Sequence, residues 1–287
     1  MTLATEARWR GKILAKIVLS RLPVPYRAWR RIGIFRHGHM RSGDYAIEVF
    51  EQAAERAGLG DVRGLRLLEL GPGDSLFSAL LTRAAGAASS VHVDVGEHAD
   101  RDLAHYREFA RLLEERGYDP IHLCGLGTLE EVLEHCDARY LTRGLDSLRA
   151  LPSGSIDFTW SQSTIEHIRA GDLMETAREL RRVMSDDATA VHLIDLRDHL
   201  ADGLNHLRVA RRLWESDFMA KSGFYTNRMR FSALCELFER AGFRCEVAHV
   251  THWGVLPTPR RAMVEEFRVL PERELLTRTF VLRLRPA

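Results

Sequence analysis

Residues Leu65-Arg-Leu-Leu-Glu-Leu70 run directly into Gly71-Pro-Gly-Asp-Ser75 and then into Leu76-Phe-Ser-Ala-Leu-Leu-Thr-Arg83. A short apolar run closed by glycines reads as a buried strand, and the apolar spacing after it reads as a helix. Strand, glycine turn and helix in that order begin an α/β sheet, whose ligands bind in the crevice at the carboxyl ends of the strands. Glycines in such a turn let the backbone approach a ligand closely. Some 25 residues beyond Glu69, Ser90-Val-His-Val-Asp94 has the form of a second strand. It ends in an acid whose carboxylate can accept both protons of a ribose diol. The dinucleotide pattern GxGxxG is not met, because Leu76 occupies its third glycine position and Glu69 stands inside the end of the first strand. Hydride chemistry with a nicotinamide is therefore disfavoured.

Leu67-Leu-Glu-Leu-Gly-Pro-Gly-Asp-Ser75 resembles the first motif of class I S-adenosylmethionine-dependent methyltransferases, an acid followed by a glycine-rich loop. The resemblance implies that Glu69, Gly71 and Gly73 approach the amino-acid end of S-adenosylmethionine (SAM), with Pro72, Asp74 and Ser75 completing the loop. It also implies that Asp94 holds the ribose. Ser75 replaces a third glycine often present in that family. Leu151-Pro-Ser-Gly-Ser-Ile-Asp-Phe-Thr-Trp-Ser-Gln-Ser-Thr-Ile-Glu-His-Ile168 resembles the fourth-strand motif of the same family. By that likeness Ser161 and Gln162 border the cofactor, and His167 of the Glu-His pair is a catalytic candidate or a helix-packing residue behind the site. Asp146 matches the acid for the adenine amine with a slip of one residue.

Arg178 to Asp187 resembles the helix and turn before the fifth strand, with Ser185-Asp-Asp187 making the turn. Ala188 to Leu196 then reads as that strand, Phe231 to Phe243 as a late helix with a glycine stop, and Cys245–Val250 and Thr279–Leu284 as the last two strands. The resemblance covers roughly residues 60–285. It implies a Rossmann-like α/β domain, residues 59–287, with a mainly parallel seven-stranded sheet. Insertions fall at about 100–140 and 197–230, and a helical extension, residues 1–58, caps the cofactor or substrate pocket.

The second insertion follows the fifth strand at its carboxyl end, where substrate recognition is expected. His192-Leu-Ile-Asp-Leu-Arg-Asp-His199 brings two histidines and two carboxylates into eight residues at that point. Methyl transfer is an in-line displacement, so the protein aligns the nucleophile and, for a hydroxyl, removes its proton. A histidine held by a carboxylate suits that task, which makes His199 the candidate base with Asp195 or Asp198 orienting it. Asp, Asp and His could also hold Mg²⁺ or Zn²⁺, but the spacing does not single out a metal site and no metal ligand is assigned. The alternative structural reading has His192 alternating into the sheet and Asp198-His199 capping a helix.

His39, His192, Trp214, Tyr225, Asn227 and Arg228 are the candidate substrate contacts. The residues around Asn205, His206, Phe218 and Phe224 form either a lid hinged near Gly223 or a small core of their own. Arg208, Arg211, Arg212, Arg228 and Arg230 could bind an anionic acceptor.

Forty-one basic and forty acidic side chains give a net charge of +1, which supplies no drive toward nucleic acid. Cys124, Cys136, Cys235 and Cys245 include no CxxC pair, so the thiols read as reduced, in keeping with the cytoplasm. Residues 1–41 hold ten Arg or Lys and one acid, Glu6, with Ile13, Leu14, Ile17 and Val18 spaced for one helical face. That pattern fits either a helix packed on the main domain or peripheral contact with anionic lipid. His37 and His39, on either side of Gly38, could line a pocket. The reading reached from sequence is SAM-dependent methylation of a small-molecule or glycan-type acceptor, at oxygen, with histidine-assisted deprotonation. The alternatives are a catalytically silent SAM-binding or assembly protein and a membrane-associated methyltransferase acting on a lipid-linked or polysaccharide substrate.

Overall fold

A computed structural model describes residues 40–199 and 202–287. The expectations for the basic N-terminal helix and for His37 and His39 lie outside the described residues. Seven strands form one sheet in the order β3-β2-β1-β4-β5-β7-β6. They are β1 (Arg66–Leu70), β2 (Ser89–Val93), β3 (Ala138–Leu141), β4 (Ile156–Gln162), β5 (Met184–Asp195), β6 (Phe243–His252) and β7 (Thr277–Pro286). Strands β1 to β5 pair in parallel, while β7 runs antiparallel between β5 and β6. The order reverses between β1 and β4, and at such a switch point the loops leaving the two strands diverge and open a crevice.

Strand alternation divides the interior into two cores. Leu67, Phe158, Trp160 and Val191 face one side, covered by α1 (Gly43–Ala57), α2 (Phe77–Ala84), α3 (Leu103–Glu115) and α4 (Leu129–His135). Leu68, Leu70, Val91, Val93, Ala190, Ile194 and Phe280 face the other, covered by α5 (Leu145–Arg149), α6 (Ala170–Val183) and α7 (Phe231–Arg240). Helix α1 places Ala46, Ile47, Val49, Phe50, Ala53 and Ala57 on one face at helical spacing. Phe50 meets the indole of Trp160 edge-on at 5.3 Å. The helix stops at Gly58, whose φ of 77° lets its N–H return to the carbonyls of Ala54 and Glu55.

The expected turn at Ser185-Asp-Asp187 is instead part of β5, which begins directly after Val183. The pairing with β4 shifts register between Ile156 and Phe158, and the bulge absorbs the extra residues. Ser185 donates to Asp157, which also takes the guanidinium of Arg66 at 2.8 Å. That hydrogen bonding holds the Asp157 carboxyl down at about 2, at the end of the sheet opposite the crevice.

Between β5 and α7, residues 202–230 build interiors of their own. Trp214, Met219, Phe224 and Tyr225 form one, while Leu204 and Leu207 pack with Met263 and Leu275 in another. Among the described residues, no helix is long and apolar enough to cross a membrane.

Candidate functional site

The turn after β1 carries two left-handed glycines, Gly71 at φ 71° and Gly73 at φ 74°. Gly71 donates to the carbonyl of Val93 at 2.8 Å, which fixes the turn against the end of β2. A Cβ on Gly71 would lie 2.3 Å from Thr164 Oγ1 and 2.6 Å from its methyl carbon, so no side chain fits there. Gly73 donates to Asp94 Oδ2 at 3.3 Å, and Val95 donates to Oδ1 at 2.7 Å. Each Asp94 oxygen thus keeps a free lone pair for a further donor. Burial raises the Asp94 carboxyl, and His98 nearby works against that rise.

Several residues expected beside the cofactor are turned to other work. Glu69 is buried under α2, where it accepts from Ser78 and pairs with His92 Nδ1 at 2.9 Å. Ser75 is buried and donates to the carbonyl of Met40 at 2.6 Å, fastening the turn to the chain that leads into α1. Pro72 and Asp74 are buried within the turn. Asp146 stands in the first turn of α5 with its carboxylate paired to Arg149 at 2.7 Å.

Alternation along β4 separates the two residues expected to act together at its end. Gln162 is on the α1 side, where its amide donates to the hydroxyl of Tyr45 at 3.2 Å. Ser161 is on the α7 side, bonded to His192 Nδ1 at 2.8 Å. His192 stacks on Phe238 of α7 with ring centroids 5.9 Å apart and is fully buried. Burial lowers its pKa to about 3, so it is a neutral core histidine rather than a substrate contact.

Beyond β4 the chain turns through Ser163, at φ 51°, and Thr164, which donates to the carbonyl of Leu70 at 3.1 Å. It then enters the 3₁₀ turn Ile165–His167. Glu166 is buried to 1%, with Oε1 accepting from the N–H of Asp195 at 3.2 Å. Its Oε2 is buried with no hydrogen-bond partner among the described residues. Burial drives the Glu166 carboxyl well above its usual range. His167 is exposed and its Nδ1 lies 2.9 Å from the carbonyl of Tyr225. The rings of His167 and His199 meet edge-on at 4.7 Å. A carboxylate oxygen of Glu166 and a ring nitrogen of each histidine all lie within 4.8 Å of one another.

Both carboxylates expected to orient His199 also hold their own loop. For Asp195, burial acts to raise the pKa, but Arg197, bonded to both its oxygens, outweighs burial and holds the carboxyl below its ordinary value. Asp198 braces its own loop by accepting from the N–H of Asn205 at 2.6 Å and from its amide at 3.0 Å. The structure also brings Glu166 to the histidines. It was present in the motif as an acid between Ile165 and Ile168, and an acid framed by apolar residues is the signal that could have found it.

The expected substrate contacts in the second insertion are interior. Trp214 is fully buried, its indole donating to the carbonyl of Thr226 at 2.7 Å. Tyr225 donates to Glu215 at 2.7 Å. Arg228 donates to the carbonyl of Val209 at 2.7 Å and lies over the ring of Phe267. Arg230 is buried and donates to the carbonyls of Leu196, Glu274 and Thr277, which removes it from anion binding. Asn227 serves the turn after β4 directly. Its amide nitrogen donates to the carbonyls of Ile165 and Ile168, and its N–H donates to that of Glu166 at 2.7 Å.

A family model for a methyltransferase domain matches residues 37–247. The chain belongs to that methyltransferase family. No curated protein matches it by sequence. Among solved structures, it is similar to a SAM-dependent methyltransferase from Mesorhizobium loti, 19% identical, with 81% of this chain and 95% of that one aligned at a TM-score of 0.47. It is also similar to a SAM-dependent methyltransferase from Archaeoglobus fulgidus, 14% identical over 86% of this chain and 94% of that one, at a TM-score of 0.45. The [4+2]-cyclase SpnF is similar as well, 15% identical over 88% and 86% of the two chains, with a TM-score of 0.46.

By the family match and the sheet order, the protein is an enzyme of the SAM-dependent methyltransferase class with a Rossmann-like fold. At the carboxyl ends of the strands stand Gly71, Gly73, Asp94, Gln162, Glu166, His167 and His199. Their donor set fits the cofactor of the class: a carboxylate with free lone pairs for a diol, beside a turn of backbone with no side chains at Gly71 and Gly73.

Proposed function

We propose that this methyltransferase transfers the methyl group of SAM to a hydroxyl oxygen of a small-molecule acceptor, and that His199 and His167 assist loss of the hydroxyl proton. The observation that carries this reading is the meeting of Glu166, His167 and His199 at the carboxyl ends of β4 and β5. Thr164, two residues before Glu166, touches the glycine turn itself. SAM supplies a methyl group on a positively charged sulfur, which a nucleophile takes by in-line displacement.

In this reading Asp94 holds the ribose hydroxyls and the backbone at Gly71 and Gly73 borders the rest of the cofactor. Gln162, held by Tyr45 of α1, borders the cofactor from β4. Residues 40–58 act as a helical cap. Its support is the pair of ties from the Met40 carbonyl to Ser75 and from Tyr45 to Gln162, with Arg41 bonded to Asp100 at 2.9 Å. The histidines stand on the side where an acceptor would approach, His167 exposed and His199 half-buried.

Calorimetric titration of SAM into the wild type and Asp94→Ala tests the cofactor site. Micromolar binding in the wild type and at least a roughly thirtyfold loss in the variant is expected, as removing a charged partner from two hydroxyls costs about 2 kcal/mol or more. Absence of binding to the wild type would overturn the reading. A panel of phenolic and aliphatic hydroxyl acceptors, scored by formation of S-adenosylhomocysteine, then tests the chemistry. His199→Ala should lower the rate with SAM affinity kept, and an unchanged rate would remove histidine assistance.

A further inference from the structure

The three groups that meet beyond β4 and β5 have the composition of a metal site rather than of a hydrogen-bonded dyad. Glu166 is 1% exposed, and one of its oxygens has no hydrogen-bond partner among the described residues. A buried carboxylate oxygen without a donor is costly unless something cationic completes it. Its other oxygen is oriented by the backbone N–H of Asp195, which fixes the plane of the carboxylate from behind.

His167 is fixed in the same manner. Its Nδ1 faces the carbonyl of Tyr225 at 2.9 Å, and a carbonyl only accepts, so Nδ1 is the donor nitrogen. A histidine whose second ring nitrogen donates to a backbone carbonyl is the usual state of a metal ligand. His199 adds a second imidazole, its ring 4.7 Å from that of His167, and the three ligating atoms lie within 4.8 Å of one another. Small rotations of the exposed His167 and half-buried His199 side chains would bring them to metal-ligand distances.

We propose that Glu166, His167 and His199 bind one divalent transition-metal ion. Two imidazoles and one carboxylate suit Zn²⁺ and its first-row neighbours and disfavour Mg²⁺, which prefers oxygen ligands throughout. Three protein ligands leave at least one position open. Because His167 is exposed, that position is accessible to a small molecule from solvent.

The catalytic role of the ion rests on the methyl-transfer reading, although the site itself does not. An acceptor hydroxyl at the open position loses its proton to solvent at a lower pH, because the ion stabilises the oxyanion. The oxygen then forms a bond to the methyl carbon as the carbon–sulfur bond breaks and its electron pair returns to sulfur. The products are a methyl ether, S-adenosylhomocysteine and one proton. The histidines in this arrangement assist deprotonation as ligands.

The test is calorimetric titration of the chelator-treated full chain with Zn²⁺ alone and, separately, with Mg²⁺ alone. The wild type should take up one equivalent of Zn²⁺ at micromolar affinity or better and bind Mg²⁺ far more weakly. Glu166→Gln and His199→Ala should each weaken Zn²⁺ by on the order of a hundredfold or more. His167→Ala, a change at an exposed position, should do the same without loss of fold, as judged by circular dichroism. Wild-type protein that takes up no Zn²⁺, variants that bind it as tightly as wild type, or Mg²⁺ bound as tightly as Zn²⁺ would each overturn the proposal. SAM titrated into the same samples separates the two readings. Cofactor binding without Zn²⁺ uptake defeats the metal site alone, and Zn²⁺ uptake without cofactor binding defeats the methyl-transfer reading alone.

Discussion

Replacing Gly71 by alanine should damage the protein through two separable terms, and a second substitution should recover one of them. The first term is conformational: an L residue held at φ 71° costs roughly 1–2 kcal/mol. The second is steric. A Cβ at position 71 would lie 2.3 Å from Thr164 Oγ1, 2.6 Å from its Cγ2 and 3.0 Å from its Cβ. Thr164 cannot yield freely, since Oγ1 donates to the carbonyl of Leu70 at 3.1 Å. Overpacking of this kind costs typically 1–3 kcal/mol, and the lost hydrogen bond adds about 1 kcal/mol. Gly71→Ala should therefore destabilise by about 3–6 kcal/mol in urea unfolding. Thr164→Ala alone should cost about 1 kcal/mol, and it removes both of the closest atoms. The double variant should then retain the conformational term but shed most of the clash, giving a coupling of about 2 kcal/mol in the stabilising direction. Additivity within about 0.5 kcal/mol would refute the argument, because it would mean that Thr164 does not dictate the glycine.

Three other consequences can be measured on the same footing. Asn227→Ala strips donors from the carbonyls of Ile165 and Ile168 in a buried setting and should cost about 2–4 kcal/mol by chemical denaturation; a loss below about 1 kcal/mol would show that the brace is dispensable. His192 is neutral in the fold with a pKa of about 3, so the unfolded chain binds the extra proton between about pH 6.5 and 3, and stability falls as pH drops through that window. His192→Gln removes this term, so its stability relative to wild type should improve by about 3 kcal/mol on going from pH 8 to pH 4.5; parallel pH profiles would contradict the burial argument. Asp157→Asn should lose the Arg66 pairing at the far end of the sheet, with lower stability above about pH 4 and unchanged SAM affinity, and a weakened cofactor would show that the two ends are coupled.

The parts of the fold that were legible in the sequence are those set by neighbours in the chain. The glycine turn was readable because Leu65 to Leu70, the two glycines and the helix after them are contiguous, and each imposes its conformation locally. Asp94 was readable for the same reason, as the acid that closes an alternating strand. The misassignments arise where alternation was not followed through. Ser161 and Gln162 are consecutive in a strand, so they face opposite sides of the sheet, and only Gln162 shares the α1 side with Trp160. His192 fails on the same count, since its register partner is Ser161 on the α7 side. Other roles depend on partners far away in sequence. Arg197 pairs with Asp195 within two residues, but Glu166 reaches the N–H of Asp195 across 29, and no local pattern states that contact.

The second insertion shows why burial of an expected recognition segment does not remove it from function. Tyr225 and Asn227 place two backbone contacts and two bonds from one side-chain amide on residues 165–168, the turn that carries Glu166 and His167. The segment itself is held rigid by Trp214, which packs on Tyr225 and donates to the carbonyl of Thr226. Geometry at the site is therefore set by a segment about sixty residues downstream, as the separations of 58 and 62 residues in these bonds show. A short turn beyond a strand would otherwise be free to relax, and a buried carboxylate aimed at two imidazoles would relax first, by rotating toward water. What keeps Glu166 buried is the pair of layers around it, the N–H of Asp195 beneath and the 225–227 segment above. The insertion thus grips the turn that carries Glu166 and His167.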